Sequence, residues 1–199
     1  MNGMSTLLAG EVARRPGGRT AEVTQRIHDA IIALLIQDGV HACTFSAVAE
    51  RAGIERSTLY RRFPDRWDAI VDALMKRAAD EITPDLGDNF AHDLTSVLRK
   101  LVSILETPLG PAVLAVAAEL RAHNASQYPE DHFDQRMEQL APMFDAAIAR
   151  GELLADVDRK SLFAFAAGPV YFGMFLVGRT MDDAYIDDIV QKVCRLYCA

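Results

Sequence analysis

Apolar residues recur at helical spacing along almost the whole chain, and no stretch of useful length alternates like a half-buried strand. That periodicity confines the chain to an all-α fold of about nine helices. Ile27, Ala30, Ile31, Leu34 and Leu35 mark one face of a first helix, expected from Thr20 to Asp38 and stopped by Gly39. Thr44 is the expected N-cap of a short helix that buries Phe45, Val48, Ala49 and Ala52 and closes at Gly53. A second short helix, Arg56 to Phe63, stops at Pro64, and a longer one follows with Trp67, Ile70, Val71, Leu74 and Ala78 inside. Pro84 and Gly87 mark a boundary behind it.

Beyond that boundary Leu94, Val97, Leu98, Leu101 and Leu105 define a fifth helix, and Val113, Val116, Ala117 and Leu120 a sixth. Phe133, Met137, Leu140, Phe144 and Ile148 define a seventh that ends at Gly151, with Pro142 either kinking it or restarting it. Ser161 to Gly178 is an uncharged eighth, and Ile186, Ile189, Val190, Val193 and Tyr197 give a ninth. The eighth approaches the length of a membrane span. Gly168, Pro169 and Gly173 interrupt its centre and no marked basic cluster flanks it, so it is read as a buried or subunit-interface helix, with no membrane partner.

Charge is divided unevenly. Eleven basic residues face nine acidic ones up to Arg77, whereas ten face nineteen beyond it. The two parts are therefore expected to meet different partners, and a locally basic face can approach phosphate while the acidic mass lies further away. Five of the arginines lie in RAGIERSTLYRRFPDRW, Arg51 to Trp67. Two short helices separated by a glycine-containing turn and braced by longer neighbours make a helix-turn-helix, whose second short helix enters the major groove. Arg56, Ser57, Thr58, Arg61 and Arg62 are all candidate DNA contacts, but residues three or four apart share a helical face, so they cannot all point one way. Arg56, Ser57, Tyr60 and Arg61 share the groove side, and Leu59 and Phe63 face the core. A solvated arginine face on a structural helix is the plainer reading of the charge alone.

The whole segment TFSAVAERAGIERSTLYRRFPDRWDAI resembles, in order and without a gap, the DNA-binding headpiece of the TetR/AcrR family of bacterial transcriptional repressors. The resemblance is detailed from Thr20 to about Ala78 and is one of architecture beyond. It implies that Tyr60 meets the DNA backbone, that Arg66 occupies the place of a phosphate-contacting lysine at a helix start, and that Thr44 and Ser46 contact phosphate from the first short helix. Glu55 departs from the serine or threonine usual at that cap. It either pairs with Arg51 or Arg56 or accepts from a cytosine amino group. Arg14, Arg15 and Arg19 resemble a flexible basic arm that enters the minor groove or attracts phosphates; a terminus of no consequence is the alternative.

The resemblance further implies a three-helix helix-turn-helix headpiece followed by a helical ligand-binding and dimerisation domain. The expected division is 1–18 for the arm, 19–80 for the headpiece and 85–199 for the second domain. The implied partners are a double-stranded DNA operator, a small-molecule inducer and a second copy of the chain. Leu101, Leu120, His123, Met137, Phe144 and Phe172 are the candidates for an interior cavity, with plain core packing as the alternative for each. The eighth helix has more apolar surface than one face can bury, so Ala164, Ala167, Gly168, Tyr171 and Phe175, with Ile189 and Val193, are expected at a dimer interface. A two-fold dimer with recognition helices about 34–36 Å apart, or further, reads an approximate palindrome.

Other chemistries lack their residues. The histidines at 28, 41, 92, 123 and 132 form no metal-ligand pair at helical spacing, and there is no nucleophile elbow, P-loop or dinucleotide fingerprint. Cys43, Cys194 and Cys198 contain no CxxC pair and read as reduced thiols. The chain is thus expected to be no enzyme, to need no cofactor or metal, and to act in the cytoplasm. The runner-up is an all-helical ligand-sequestering or adaptor protein without specific DNA binding.

Overall fold

Helix α1 (Gly17–Gln37) turns Ile27, Ala30, Ile31, Leu34 and Leu35 inward, all of them buried, and forms the inner wall of the N-terminal unit. The computed structural model describes the backbone of residues 17–122 and 127–198 and the side chains of residues 20–122 and 133–198. Gly17, Gly18 and Arg19 are helical, so the helix starts ahead of the expected Thr20 and takes the last part of the expected arm. Arg14 and Arg15 lie outside the described residues.

At its other end the Leu34 carbonyl accepts from the backbone N–H of both Asp38 and Gly39, and a 3₁₀ turn (Val40–Ala42) leads to α2 (Phe45–Ala52). The Thr44 hydroxyl caps α2 by accepting from the Ala47 N–H at 3.2 Å. Gly53 closes it in the left-handed region at φ 61°, a conformation that favours glycine. The following α3 (Arg56–Arg62) and α4 (Arg66–Glu81) complete the unit. A capping box starts α4: the Asp65 carboxylate accepts from the N–H of Trp67 and Asp68, while the Asp68 carboxylate accepts from the Asp65 N–H. Helix α1 packs on both α2 and α4, and α3, which packs on α2, buries its Leu59 fully.

In the C-terminal unit α5 (Phe90–Leu105) is the axis, packed by α6 (Leu109–Ala122), α7 (Gln127–Ala149), α8 (Arg159–Tyr171) and α9 (Asp183–Tyr197). The chain bends by 89° between α5 and α6, and a Cβ at Gly110 would lie 2.1 Å from the Leu105 carbonyl oxygen, so that bend requires glycine. Helix α7 runs through Pro142 without restarting. Helix α8 continues as π-helical turns over Phe172–Val177 and ends at Gly178. The length and composition of Arg159–Val177 would allow a membrane span. Its Leu162, Phe163, Ala166, Ala167 and Val170 are nonetheless buried in the protein. Among the described residues there is no strand, only an isolated antiparallel bridge between Leu153 and Cys198.

A buried charge ties α5 to the end of α7. Asp93 is fully buried, accepts from the Gly87 N–H at 2.5 Å and pairs with Arg150 at 3.1 Å. Arg150 also holds Glu152 at 3.0 Å, and Glu152 accepts from the Phe90 N–H at the start of α5. The Arg150 guanidinium keeps the Glu152 carboxyl below its ordinary range, with help from the Phe90 N–H. A depressed folded value means that the carboxylate stabilises the fold fully above about pH 4.3 and loses that contribution as pH falls through the lower folded value. Glu152→Gln is therefore expected to lower the thermal midpoint at pH 7 and to flatten its decline below about pH 4.3. Melting curves from pH 7 to pH 3 check this, and an unchanged acid profile would contradict it.

Candidate nucleic-acid interface

Two short helices present one polar face because their apolar sides are held from behind. On α3 Leu59 is fully buried and Phe63 half-buried, which turns Arg56, Ser57, Tyr60 and Arg61 to solvent. Thr44 and Ser46 at the start of α2 are exposed beside them. Tyr60 is 59% exposed, yet its ring meets the buried Phe45 edge-on at 4.9 Å, and its hydroxyl accepts from Arg56 at 3.4 Å. The phenol is thus aimed outward by a fixed contact with α2.

The turn between the two helices is clamped from α1. The Arg26 guanidinium donates to the carbonyls of Ala52 and Gly53, the latter at 2.7 Å, placing a cation at the C-terminus of α2 where the helix dipole favours one. A Cβ at Gly53 would come within 2.8 Å of that guanidinium. Sequence reasoning missed Arg26, because only the fold brings it across to the turn. Arg51 donates to Gln37 at 2.6 Å and is likewise bound to α1.

The remaining arginines divide. Arg62 is half-buried and donates to the Thr24 hydroxyl, which holds it against α1 and away from the DNA contact expected of it. Thr58 is half-buried and lines a shallow groove with Thr20, Val23, Glu55 and Arg61. That groove sets the N-terminal end of α1 beside the recognition helix. Arg66 lies over the Trp67 ring, 4.4 Å from its centroid, at the start of α4. Glu55 is exposed at the α3 cap and makes no side-chain capping bond; Arg51 and Arg56 are engaged with Gln37 and Tyr60.

Away from this face, Leu101, Leu120, Met137 and Phe144 are all buried, with the Phe144 ring 6.1 Å from Phe90. His123 lies outside the described residues. Phe172 faces outward instead of lining an interior: it lies seven residues after the exposed Phe165, on the same side of the helix. The outward face of α8 and α9 carries Phe165, Phe172, Leu176, Val177 and Leu196, all more than half exposed, together with Ala164 and Gly168. Between those helices runs a cleft of about 410 Å³ lined by Phe165, Pro169, Ile189, Val193 and Leu196. Ala167, Ile189 and Val193 are buried within the chain, and Tyr171 and Phe175 are half-buried with their rings 6.3 Å apart. Phe165, Phe172, Leu176 and Val177 thus carry the exposed apolar surface that a helix apolar all round had implied, and Leu196 of α9 extends it.

Burial pushes the thiols up, Cys43 to about 11 and Cys198 to about 12, so these two stay protonated at neutral pH. Among the described residues no group of three or more His, Cys, Asp or Glu is placed to hold a metal ion.

A rigid helix-turn-helix with an outward face of hydroxyls, arginines and a tyrosine, set on a larger helical unit, defines a DNA-binding regulator. The comparisons agree. The family model described as "Bacterial regulatory proteins, tetR family" matches residues 27–74, and "Tetracyclin repressor-like, C-terminal domain" matches residues 83–193, so the chain belongs to the TetR family of transcriptional regulators. It is 26% identical over 175 residues to the HTH-type transcriptional regulator YdeS of Bacillus subtilis (strain 168), covering 84% of this chain and 88% of that one. It is 28% identical over 157 residues to the HTH-type transcriptional regulator AqdR of Rhodococcus erythropolis, covering 77% and 74%. The solved structure of the TetR family transcription regulator SCO0332 superposes with a TM-score of 0.70 at 28% identity, covering 89% of this chain and all of that one.

The clamp and the reading face have separable consequences. Arg61→Met is expected to weaken DNA binding by about 1–3 kcal/mol with no change in thermal stability. Arg26→Met is expected to cost about 1–2 kcal/mol of stability, because two carbonyls at a helix end lose a charged donor. Fluorescence-anisotropy titrations beside melting curves of both variants check the contrast; equal effects of the two on stability would contradict it.

Proposed function

We propose that this TetR-family regulator is a ligand-responsive repressor that binds a palindromic operator as a homodimer in the cytoplasm and is released by a small, largely apolar ligand. The observation that carries the reading is the α2–α3 face, where Thr44, Ser46, Arg56, Ser57, Tyr60 and Arg61 are exposed together while Arg26 fixes the turn behind them. Arg66 at the start of α4 joins it as a phosphate contact. Residues 1–16, ahead of α1, act as a basic arm that carries Arg14 and Arg15 toward the phosphates, supported by the position of the α1 N-terminus beside α3. Residues 17–81 form the reading unit and residues 85–199 the ligand-binding and dimerisation unit.

The outward apolar face of α8 and α9 supports the homodimer. Five large apolar side chains on neighbouring turns form a patch of the kind that marks an interaction surface. Two-fold pairing through that face is self-complementary and presents two α3 helices to two half-sites. The ligand acts by population shift. It must prefer the arrangement with mis-spaced α3 helices by roughly 3–5 kcal/mol to empty a mostly occupied operator.

Selection of bound fragments from the source genome, followed by titration at two salt concentrations, tests the reading. An enriched palindrome with a steep salt dependence is expected, whereas sequence-blind binding would overturn it. Phe165→Lys with Leu176→Lys is expected to convert the dimer to monomer in sedimentation equilibrium and to lower operator affinity at least tenfold. A dimer that survives both changes would place the interface elsewhere.

A further inference from the structure

An acidic side chain stands on a face that meets a polyanion. Glu55 is exposed directly ahead of α3, and its side chain makes no capping bond to the helix start. Among the described residues it has no hydrogen-bond or ion-pair partner. Three nearby guanidiniums are held elsewhere: Arg51 donates to Gln37 at 2.6 Å, Arg56 to the Tyr60 hydroxyl at 3.4 Å, and Arg62 to the Thr24 hydroxyl. By contrast, the Asp65 and Asp68 carboxylates at the edge of this unit are both used in the capping box of α4. No contact within the fold accounts for a carboxylate at position 55, and phosphate would repel it.

Its surroundings limit what it can meet. Glu55 lines one shallow groove with Ile54, Thr58 and Arg61, beside Thr20 and Val23 of α1. Next to it Arg56 and Ser57 open the exposed side of α3, and the first residues of the second helix are those that reach base edges in a helix-turn-helix. An ionised carboxylate only accepts hydrogen bonds. In the major groove guanine presents the acceptors N7 and O6, and thymine the acceptor O4 beside its methyl group, so neither offers it a donor. Adenine pairs its N6 amino group with the N7 acceptor. Cytosine presents its N4 amino group with no acceptor of its own, and is the base edge that fits.

We propose that Glu55 determines specificity by accepting a hydrogen bond from the N4 amino group of one cytosine in each operator half-site. This rests on the regulator reading above and deepens it by assigning a base to a residue. The carboxylate rejects as well as selects. Guanine or thymine at that position sets an acceptor against it, and the charge-assisted hydrogen bond that offsets its approach to the duplex is lost.

The test is selection from a randomised duplex library with the full-length wild type, Glu55→Ala and Glu55→Gln, followed by anisotropy titrations on the enriched duplex and its single-position variants. One position per half-site is expected to be cytosine with the wild type, to lose its preference with Glu55→Ala, and to turn to adenine with Glu55→Gln, whose amide matches N6 and N7. Replacing that cytosine is expected to cost the wild type about tenfold in affinity per half-site and Glu55→Ala less than about twofold. N4-methylcytosine there puts a methyl group where the carboxylate binds. It is expected to act as a base change on the wild type and to leave Glu55→Ala unaffected. Because Glu55 is exposed and unpaired among the described residues, the three proteins are expected to melt alike, and a lower midpoint for Glu55→Ala would show a structural role and sink the inference. An unchanged preference in Glu55→Ala, a Glu55-dependent preference for another base, or an equal gain on every sequence, as for a carboxylate that only repels phosphate, would overturn it. Sequence-blind binding by the wild type sinks the regulator reading together with this one, whereas sequence-specific binding that does not depend on Glu55 sinks this inference alone.

Discussion

The orientation of the reading face depends on one contact, the Arg26 guanidinium on the Ala52 and Gly53 carbonyls. A helix of two turns has too few hydrogen bonds to be stable alone, so α2 and α3 take their order from what they pack against. Their apolar sides rest on the α1 face of Ile27, Ile31 and Leu34, which fixes their distance but not their rotation. Arg26 supplies the directional part. It satisfies carbonyls that the helix end leaves open and sets the angle at which α3 departs. Arg62 on Thr24 and Arg51 on Gln37 repeat the device on either side. Three cations of this arginine-rich unit therefore hold the scaffold, and the proposed DNA contacts fall to the exposed ones.

Among the described residues, helices α1 and α4 run from the reading face to the second unit. Their facing sides are joined by His28 and Asp72, hydrogen-bonded at 2.7 Å with the histidine buried. Beyond that pair, α1 packs on α6 and α4 on α7, and His41 meets Glu119 at 3.4 Å. The coupling expected of a ligand-responsive regulator thus has a physical route through packed helices, in which a small displacement at the α7 side of α4 rotates a rigid lever.

Much of this was legible in the residues. Thr44, Gly53, Pro64 and Asp65 are local signals, so the caps and ends of α2, α3 and α4 follow from the chain itself. The face of α3 was equally readable, since Leu59 and Phe63 at four-residue spacing leave Tyr60 and Arg61 outside. Arg62 escaped that reasoning. Its position on the helix suits solvent, and only the approach of α1 supplies the Thr24 hydroxyl that draws it in. The same holds for Arg26, whose neighbours in the sequence say nothing of a turn 26 residues away. Phe172 was misplaced because a segment apolar all round offers no inner face to choose, and only its packing shows that Phe165, Gly168 and Phe172 share the outward side. Arg136 did carry a signal: a charge within an apolar stripe points to a buried partner, and its guanidinium donates to the Ile82 carbonyl at the end of α4 at 2.8 Å.

The central claim is that two copies of the α2–α3 face read two half-sites on one side of the duplex. Hydroxyl-radical footprinting of the ligand-free protein on its selected genomic fragment tests it most directly. Two protected patches on the same face, related by a two-fold axis and separated by about one helical turn or a whole multiple of it, are the result the proposed dimer predicts. A single patch, or protection that does not alternate with the helical repeat, would contradict it.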